Sequence, residues 1–277
     1  MFVLTTTVKG LDQQFALWCM HHLRLFDHII VWLDDPKEIA SHYLPKDTRI
    51  LTRGGSQIHG SSPLNRLLLR QNANTDEALR LAAAMGARWL CHLDVDELLY
   101  PADRHLLESL NTDLAGQIRF LNHEAWPVWE AQNAFLECTT FKLNGKMTFN
   151  LYSNGKAMVR CQSSVHAKHA HEFAGFVGED HQFDGMVVLH YGCPTYSAWL
   201  SKYRALGTFS DYWWDDPAQP ITLTFHTASR DVVTRCMKEG RYDEAEQFFR
   251  SQLLTPDLRR ALELEQKIAD YRVELGI

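Results

Sequence analysis

The sequence predicts an α/β fold, a mixed, mostly parallel sheet flanked by helices, followed by a C-terminal helical extension. Three observations predict it. Strand and helix signals alternate through the first hundred residues, the pattern of a parallel sheet whose crossovers are helices. Two of those strands run straight into acidic clusters, at Asp34-Asp35 and at Asp94-Val95-Asp96-Glu97. Beyond residue 210 the strand signals give way to helical ones, which divides the chain into a domain over 1–210 and an extension over 211–277.

Each element has its own reason. Phe2 to Val8 is β-branched and apolar, as a buried strand is, and Gln13 to Leu25 then places Phe15, Trp18, Cys19 and Leu25 at helical spacing. His28 to Leu33 is a second strand and Thr48 to Leu51 a short third. Ser62 is an N-cap before Pro63 at the first helical position. The long helix that follows turns Leu64, Leu67, Leu68, Leu79, Ala82 and Met85 inward and stops at Gly86. Arg88 to Leu93 is the next strand. The turn dipeptides Asn144-Gly145 and Asn154-Gly155 go with antiparallel strands near 116–122, 139–143, 147–152 and 157–161. Met186 to Tyr191 reads as a strand and Thr195 to Leu206 as a helix. Gly240 and Pro256 split the tail into three helices, the last running from Asp257 to Leu275.

Composition excludes several functions. Lys and Arg number 28 against 34 Asp and Glu, a net charge of −6, the wrong sign for a protein that grips nucleic-acid phosphates. The early apolar run Ile29 to Leu33 is far short of a membrane span of ~20 residues. The opening segment has no basic region and no cleavage site, so no secretory leader is expected. Six cysteines without a CxxC pair fit reduced thiols rather than a zinc site or a disulfide framework. We expect a cytoplasmic protein with peripheral contact at the inner membrane face. Neither GxxxxGK[ST], GxGxxG nor GxSxG occurs, against NTPase, dinucleotide and triad-hydrolase chemistry.

Ligands of parallel α/β sheets bind outside the carboxyl ends of the strands, so both acidic clusters are expected on one edge. Asp94 and Asp96, two residues apart past a buried strand, offer hard oxygen ligands suited to Mg²⁺ or Mn²⁺, which keep positions open for phosphate oxygens. The plainer alternative is a solvated acidic turn. His166, His169 and His171 lack a recognised zinc spacing.

A longer set of residues carries a resemblance. Trp18 with His21-His22, Phe26-Asp27-His28-Ile29-Ile30-Val31, Asp34-Asp35, Gln71 with Asn74 and Ala78, Trp89-Leu90 and Leu93 to Leu98 occur in that order. Gly155-Lys156, Val159-Arg160, the three histidines, Leu189-His190-Tyr191 and Lys202 follow. Together, over residues 1 to 206, they resemble the family-2-like glycosyltransferases with a GT-A fold. The tail has no counterpart.

The resemblance implies a metal-dependent hexosyltransferase that moves a sugar from a nucleotide-sugar, UDP-linked, to an acceptor hydroxyl with inversion. It implies a glycan or glycolipid acceptor and a role in bacterial surface polysaccharide or lipopolysaccharide assembly. Residue by residue, it places Thr6, Val8 and Lys9 near the nucleoside and gives Asp34 or Asp35 hydrogen bonds from the base or ribose. Arg70 or Gln71 would face the diphosphate. Asp94 and Asp96 match the metal and diphosphate motif, and His190 a late metal-binding histidine. The ion, Mn²⁺ or Mg²⁺, would stabilise the departing diphosphate. Glu179-Asp180 after Gly178 resembles the family's acidic catalytic motif and would deprotonate the acceptor, with Asp184 and Glu97 in reserve. The aromatic group Trp199, Tyr203, Phe209, Tyr212, Trp213 and Trp214 packs the tail or offers an acceptor-ring platform.

Two positions depart from the family. Lys9-Gly10-Leu11-Asp12 stands where relatives carry Lys-Asn-Glu, and Leu25 replaces a glycine; both weaken the donor assignment more than the reaction class. Two competing readings are a nucleotidyltransferase or phosphohydrolase with the same metal–nucleotide site, and a catalytically silent sugar-binding module.

Overall fold

β1 (Phe2–Val8) is buried along its whole length, which requires cover on both faces of the sheet that contains it. In the computed structural model, which describes residues 1–35, 37, 43–110 and 114–275, that cover is helical on both sides. α1 (Gln13–His22) is capped by Asp12 and leads to β2 (His28–Leu33) and then β3 (Ile50–Gly54). α2 (Pro63–Ala84) returns the chain to β4 (Trp89–His92). Ser62 caps α2, accepting a 3.1 Å hydrogen bond from the Asn65 amide, as its place before Pro63 predicts. β1 pairs in parallel with β2 and β4, and β2 with β3.

β5 (Glu97–Tyr100), α3 (Arg104–Ser109), β6 (Ala115–Phe120), β7 (Asn122–Ala125), α4 (Ala134–Glu137), β8 (Thr140–Lys142) and β9 (Lys156–Arg160) follow. Next come β10 (His166–His169), β11 (Glu172–Ala174), β12 (Glu179–Gln182) and β13 (Val187–His190). The main sheet has the order β12-β6-β9-β4-β1-β2-β3, with β9 antiparallel to both neighbours and the other pairs parallel. It is the mixed, mostly parallel sheet that the sequence predicts. β10 and β11 form a hairpin.

Alternate residues of β1 serve opposite faces, as strand geometry requires. Phe2 and Leu4 join Phe15 and Trp18 of α1, while Val3 joins Ala78, Leu79 and Ala82 of α2.

α5 (Tyr196–Leu206), α6 (Thr224–Glu239), α7 (Asp243–Arg250) and α8 (Pro256–Leu264) complete the helices. Trp199 and Tyr203 of α5 pack with Val233, Ala245 and Phe249 of the tail, and the Trp199 indole donates to Ser229 at 2.9 Å. Most of the aromatic group therefore packs. The last predicted helix is shorter than expected. It ends at Leu264, and Gln266 reverses the chain with φ at 51°. β14 (Ile268–Asp270) then pairs antiparallel with β8 in a second sheet, β14-β8-β7-β13-β5.

The strand expected at 147–152 is absent. The Asn150 and Leu151 amides donate instead to the Glu124 carboxylate, at 2.9 and 2.7 Å, so no ladder claims them. Among the described residues, no helix is long and apolar enough to cross a membrane.

Candidate functional site

The carboxyl ends of β1, β2 and β4 open on one edge, and both acidic clusters lie there. The Asp34 amide donates to Val8 O at 2.8 Å, and the Leu93 amide to Thr5 O at 3.2 Å. With β1 between them, Asp34 and Asp94 stand two strand spacings apart, about 10 Å. Consecutive residues of α2 tie the two positions down. Arg70 pairs with Asp34 at 2.9 Å, and Gln71 Nε2 donates to Asp94 Oδ1 at 2.7 Å. Asn74, one turn on, donates to Thr7 Oγ1 at 3.0 Å. Thr6 and Val8 are buried inside β1, Lys9 lies exposed just beyond it, and Asp35 is exposed and accepts from the Lys37 amide.

The Asp94–Asp96 segment is a tight turn, closed by the Glu97 amide on Asp94 O at 3.1 Å. The Trp18 indole donates beneath it to Glu97 O at 2.7 Å. Lys156, with none of its side chain exposed, sits 2.5 Å from Asp94 Oδ2 and 3.3 Å from Glu97 Oε2. Burial alone would raise the Asp94 pKa, but the Lys156 ammonium and then His92 hold it well below the usual carboxylate range. Lys202 on α5 donates to Asp96 Oδ2 at 3.2 Å and to Gly192 O at 2.9 Å. Burial also works against Asp96, and Lys202, followed by His190, keeps its pKa low.

Exposure separates the three acids. Asp94 and Asp96 keep 24% and 29% of their side-chain surface, whereas Glu97 keeps none. Burial pushes the Glu97 carboxyl well above its ordinary range, and the Tyr152 hydroxyl donates to it. Glu97, a reserve base on the sequence reading, has no exposed side-chain surface and braces the turn from inside.

Among the described residues, no three His, Cys, Asp or Glu side chains form a group able to hold a metal ion. Asp96 and His190 form a pair, with His190 Nε2 3.8 Å from Asp96 Oδ2. Burial keeps the His190 imidazole neutral, the form that ligates metals, and its buried Nδ1 has no partner among the described residues. Both oxygens of Asp94 are already taken, by Gln71 and Lys156. A cation that binds one or two protein groups and fills its remaining positions with phosphate oxygens and water fits the Asp96–His190 pair.

Glu179 and Asp180 are not part of this cluster. β12 lies parallel to β6 on the outer edge of the main sheet, three strands from β4. The register runs Asp180 to Gln117, Gln117 to Val159 and Val159 to Leu90, which leaves Asp180 level with a residue four positions before Asp94. Strand spacing and rise then separate Asp180 from Asp94 by about 20 Å. Its carboxylate is engaged by Arg119, with Nε at 2.8 and 2.9 Å from the two oxygens. Asp184 beside it accepts from Gln182 at 2.8 Å.

Lys156, Lys202 and Tyr152 are the residues to which the sequence assigned no role. One signal pointed to the lysines: a cluster of acids at a buried sheet edge demands nearby cations.

No family model matches the chain. Two Arabidopsis thaliana proteins resemble it. Glycosyltransferase-like At3g57200 is 25% identical over 229 residues, 73% of this chain and 43% of its own length. Glycosyltransferase-like At2g41451 is 26% identical over 169 residues, 51% of this chain and 37% of its own. The chain thus spans less than half the length of these curated relatives. Solved structures with similar backbones include HddC from Yersinia pseudotuberculosis, at 11% identity and a TM-score of 0.37 over 74% of this chain and 98% of that one. Another is 4-diphosphocytidyl-2C-methyl-D-erythritol synthase from Anaerococcus prevotii, at 12% identity and a TM-score of 0.32 over 58% and 70%.

Proposed function

We propose that this chain is a glycosyltransferase that moves a hexosyl group from a UDP-linked donor to an acceptor hydroxyl of a glycan or glycolipid, with inversion. The observation that carries the reading is the pair of part-exposed carboxylates, Asp94 and Asp96, each backed by a lysine at the carboxyl edge of a parallel sheet. The names of the two plant relatives support it.

A diphosphate brought to this edge meets carboxylates and needs positive charge. Lys202, 31% exposed, provides some of it. Asp96 and His190 are the pair that would hold Mn²⁺ or Mg²⁺, whose chemistry there is Lewis-acid stabilisation of the departing diphosphate. Gln71 and Lys156 fix Asp94, and Arg70 fixes Asp34, so both carboxylates are set before the donor arrives. The acceptor proton needs a base in reach of the sugar. Glu179 and Asp180 are assigned no part in that step, given their separation from Asp94.

Calorimetry with UDP and a panel of UDP-sugars, with and without Mn²⁺, combined with an assay for released UDP, tests the reading. Binding that strengthens with Mn²⁺ and is lost in Asp96→Ala is the expected result. Absence of UDP binding, or an Asp96→Ala protein that binds and turns over like the wild type, overturns it. The anomeric configuration of the product by NMR tests inversion.

A further inference from the structure

We infer that Tyr152 is the positioning residue for the His190 imidazole; the inference rests on the reading of Asp96 and His190 as the cation pair. A histidine that ligates a metal usually has its second ring nitrogen hydrogen-bonded to a carbonyl or carboxylate, which fixes the rotation of the ring. His190 has no such bond among the described residues, where its buried Nδ1 finds no partner. Its ring packs on Tyr152, centroids 4.6 Å apart and planes inclined at 39°. Gly192 comes so close that an added Cβ would lie 2.6 Å from His190 Nε2. Packing, in place of a hydrogen bond, holds this imidazole.

Tyr152 is itself restrained. His171 packs on its ring at 4.2 Å, and the Lys156 ammonium lies 5.7 Å from the ring centroid. Its hydroxyl donates to Glu97, the residue paired with His190 in the antiparallel ladder of β5 and β13. Tyr152 thus bridges two residues that the ladder sets side by side, one on the Asp94–Glu97 turn and one carrying the imidazole. Its segment is anchored separately, through the two amides on Glu124 and through Asn122 Nδ2, which donates to Tyr152 O at 2.9 Å.

Three variants separate the ring from its bulk. Tyr152→Phe keeps the ring, Tyr152→Leu keeps much of the volume, and Tyr152→Ala keeps neither. The first readout is the aromatic NMR resonance of His190 in the metal-free protein, assigned with His190→Gln. The second is Mn²⁺ affinity in the presence of UDP, followed by EPR of free Mn²⁺. Tyr152→Phe should keep the His190 resonance and the Mn²⁺ affinity near wild type. Tyr152→Leu and Tyr152→Ala should shift the resonance, by loss of the ring current and of the ring's orientation, and weaken Mn²⁺ about ten- to a hundredfold. A folded Tyr152→Leu protein with an unmoved resonance and unchanged Mn²⁺ affinity overturns the inference. So does a Tyr152→Phe protein as impaired as Tyr152→Leu. Wild-type protein that binds no Mn²⁺ sinks the cation reading, whereas the metal-free resonance still tests the packing of Tyr152 on His190.

Discussion

The Lys156 ammonium lies 2.5 Å from the Asp94 carboxylate, and no part of the lysine side chain reaches solvent. The same ammonium lies 3.3 Å from Glu97, the acid sealed beneath, whose protonated form burial favours. Removing it should be felt first as stability. Lys156→Met leaves the Asp94 carboxylate without its cation, and a loss of about 3–5 kcal/mol is expected. The midpoint of urea unfolding measures it. Adding Asp94→Asn to Lys156→Met should restore about 1 kcal/mol or more, because the carboxylate that lost its cation is then uncharged. A double variant no more stable than Lys156→Met would show that the pair is not coupled.

Gln71 supplies the other hydrogen bond to Asp94 and faces the same edge. Gln71→Leu should weaken UDP about tenfold while the fold loses only about 1 kcal/mol, the usual worth of one hydrogen bond. Calorimetry and urea unfolding on the same samples separate the two effects. Equal UDP affinity in variant and wild type would remove Gln71 from the donor site.

Asp180 is expected to be dispensable for turnover. Its partner Arg119 is 43% exposed, and such pairs contribute about 0–1 kcal/mol. Asp180→Asn should therefore release UDP at the wild-type rate and unfold within about 1 kcal/mol of wild type. A loss of turnover of a hundredfold or more, on the order expected for a missing base, would return Asp180 to the catalytic role that the family resemblance implies.

Stability should fall with acid in a window set by buried histidines. Burial lowers the pKa of His21 and of His226 to about 4. In the unfolded chain each imidazole takes up its proton near pH 6.5, which the folded protein refuses until about pH 4. Stability present above pH 6.5 is therefore lost as the pH falls toward 4. Urea midpoints measured from pH 7.5 to pH 5 should decline across that range. A flat profile contradicts the burial of neutral imidazoles at these positions.

Much of the first sheet is legible because its signals are local. Phe2–Val8, His28–Leu33 and the Ser62-Pro63 helix start each follow from a few neighbouring residues. Two departures have non-local causes. Residues 147–152 read as a strand, yet a carboxylate more than twenty residues away takes the amides of Asn150 and Leu151. Residues 268–270 continue a helical pattern, yet the open edge of β8 takes them as a strand. The Gly-Glu-Asp element resembles the family's catalytic motif in type and in order along the chain, and neither says anything of its register in the sheet.

By itself, the sequence determined the alternation of strands and helices, and with it one shared edge for Asp34 and Asp94. The reason is that parallel strands joined by helical crossovers all end on the same side. Only the tertiary structure decided which charges meet there. It brought Lys156 and Lys202 to the acids, sealed Glu97 inside, carried Asp180 to the far edge of the sheet and set Tyr152 against His190. Those outcomes depend on strand order, register and the closing of loops across long separations in the chain. Such contacts arise when distant segments bury surface together, and no local pattern of residues encodes them.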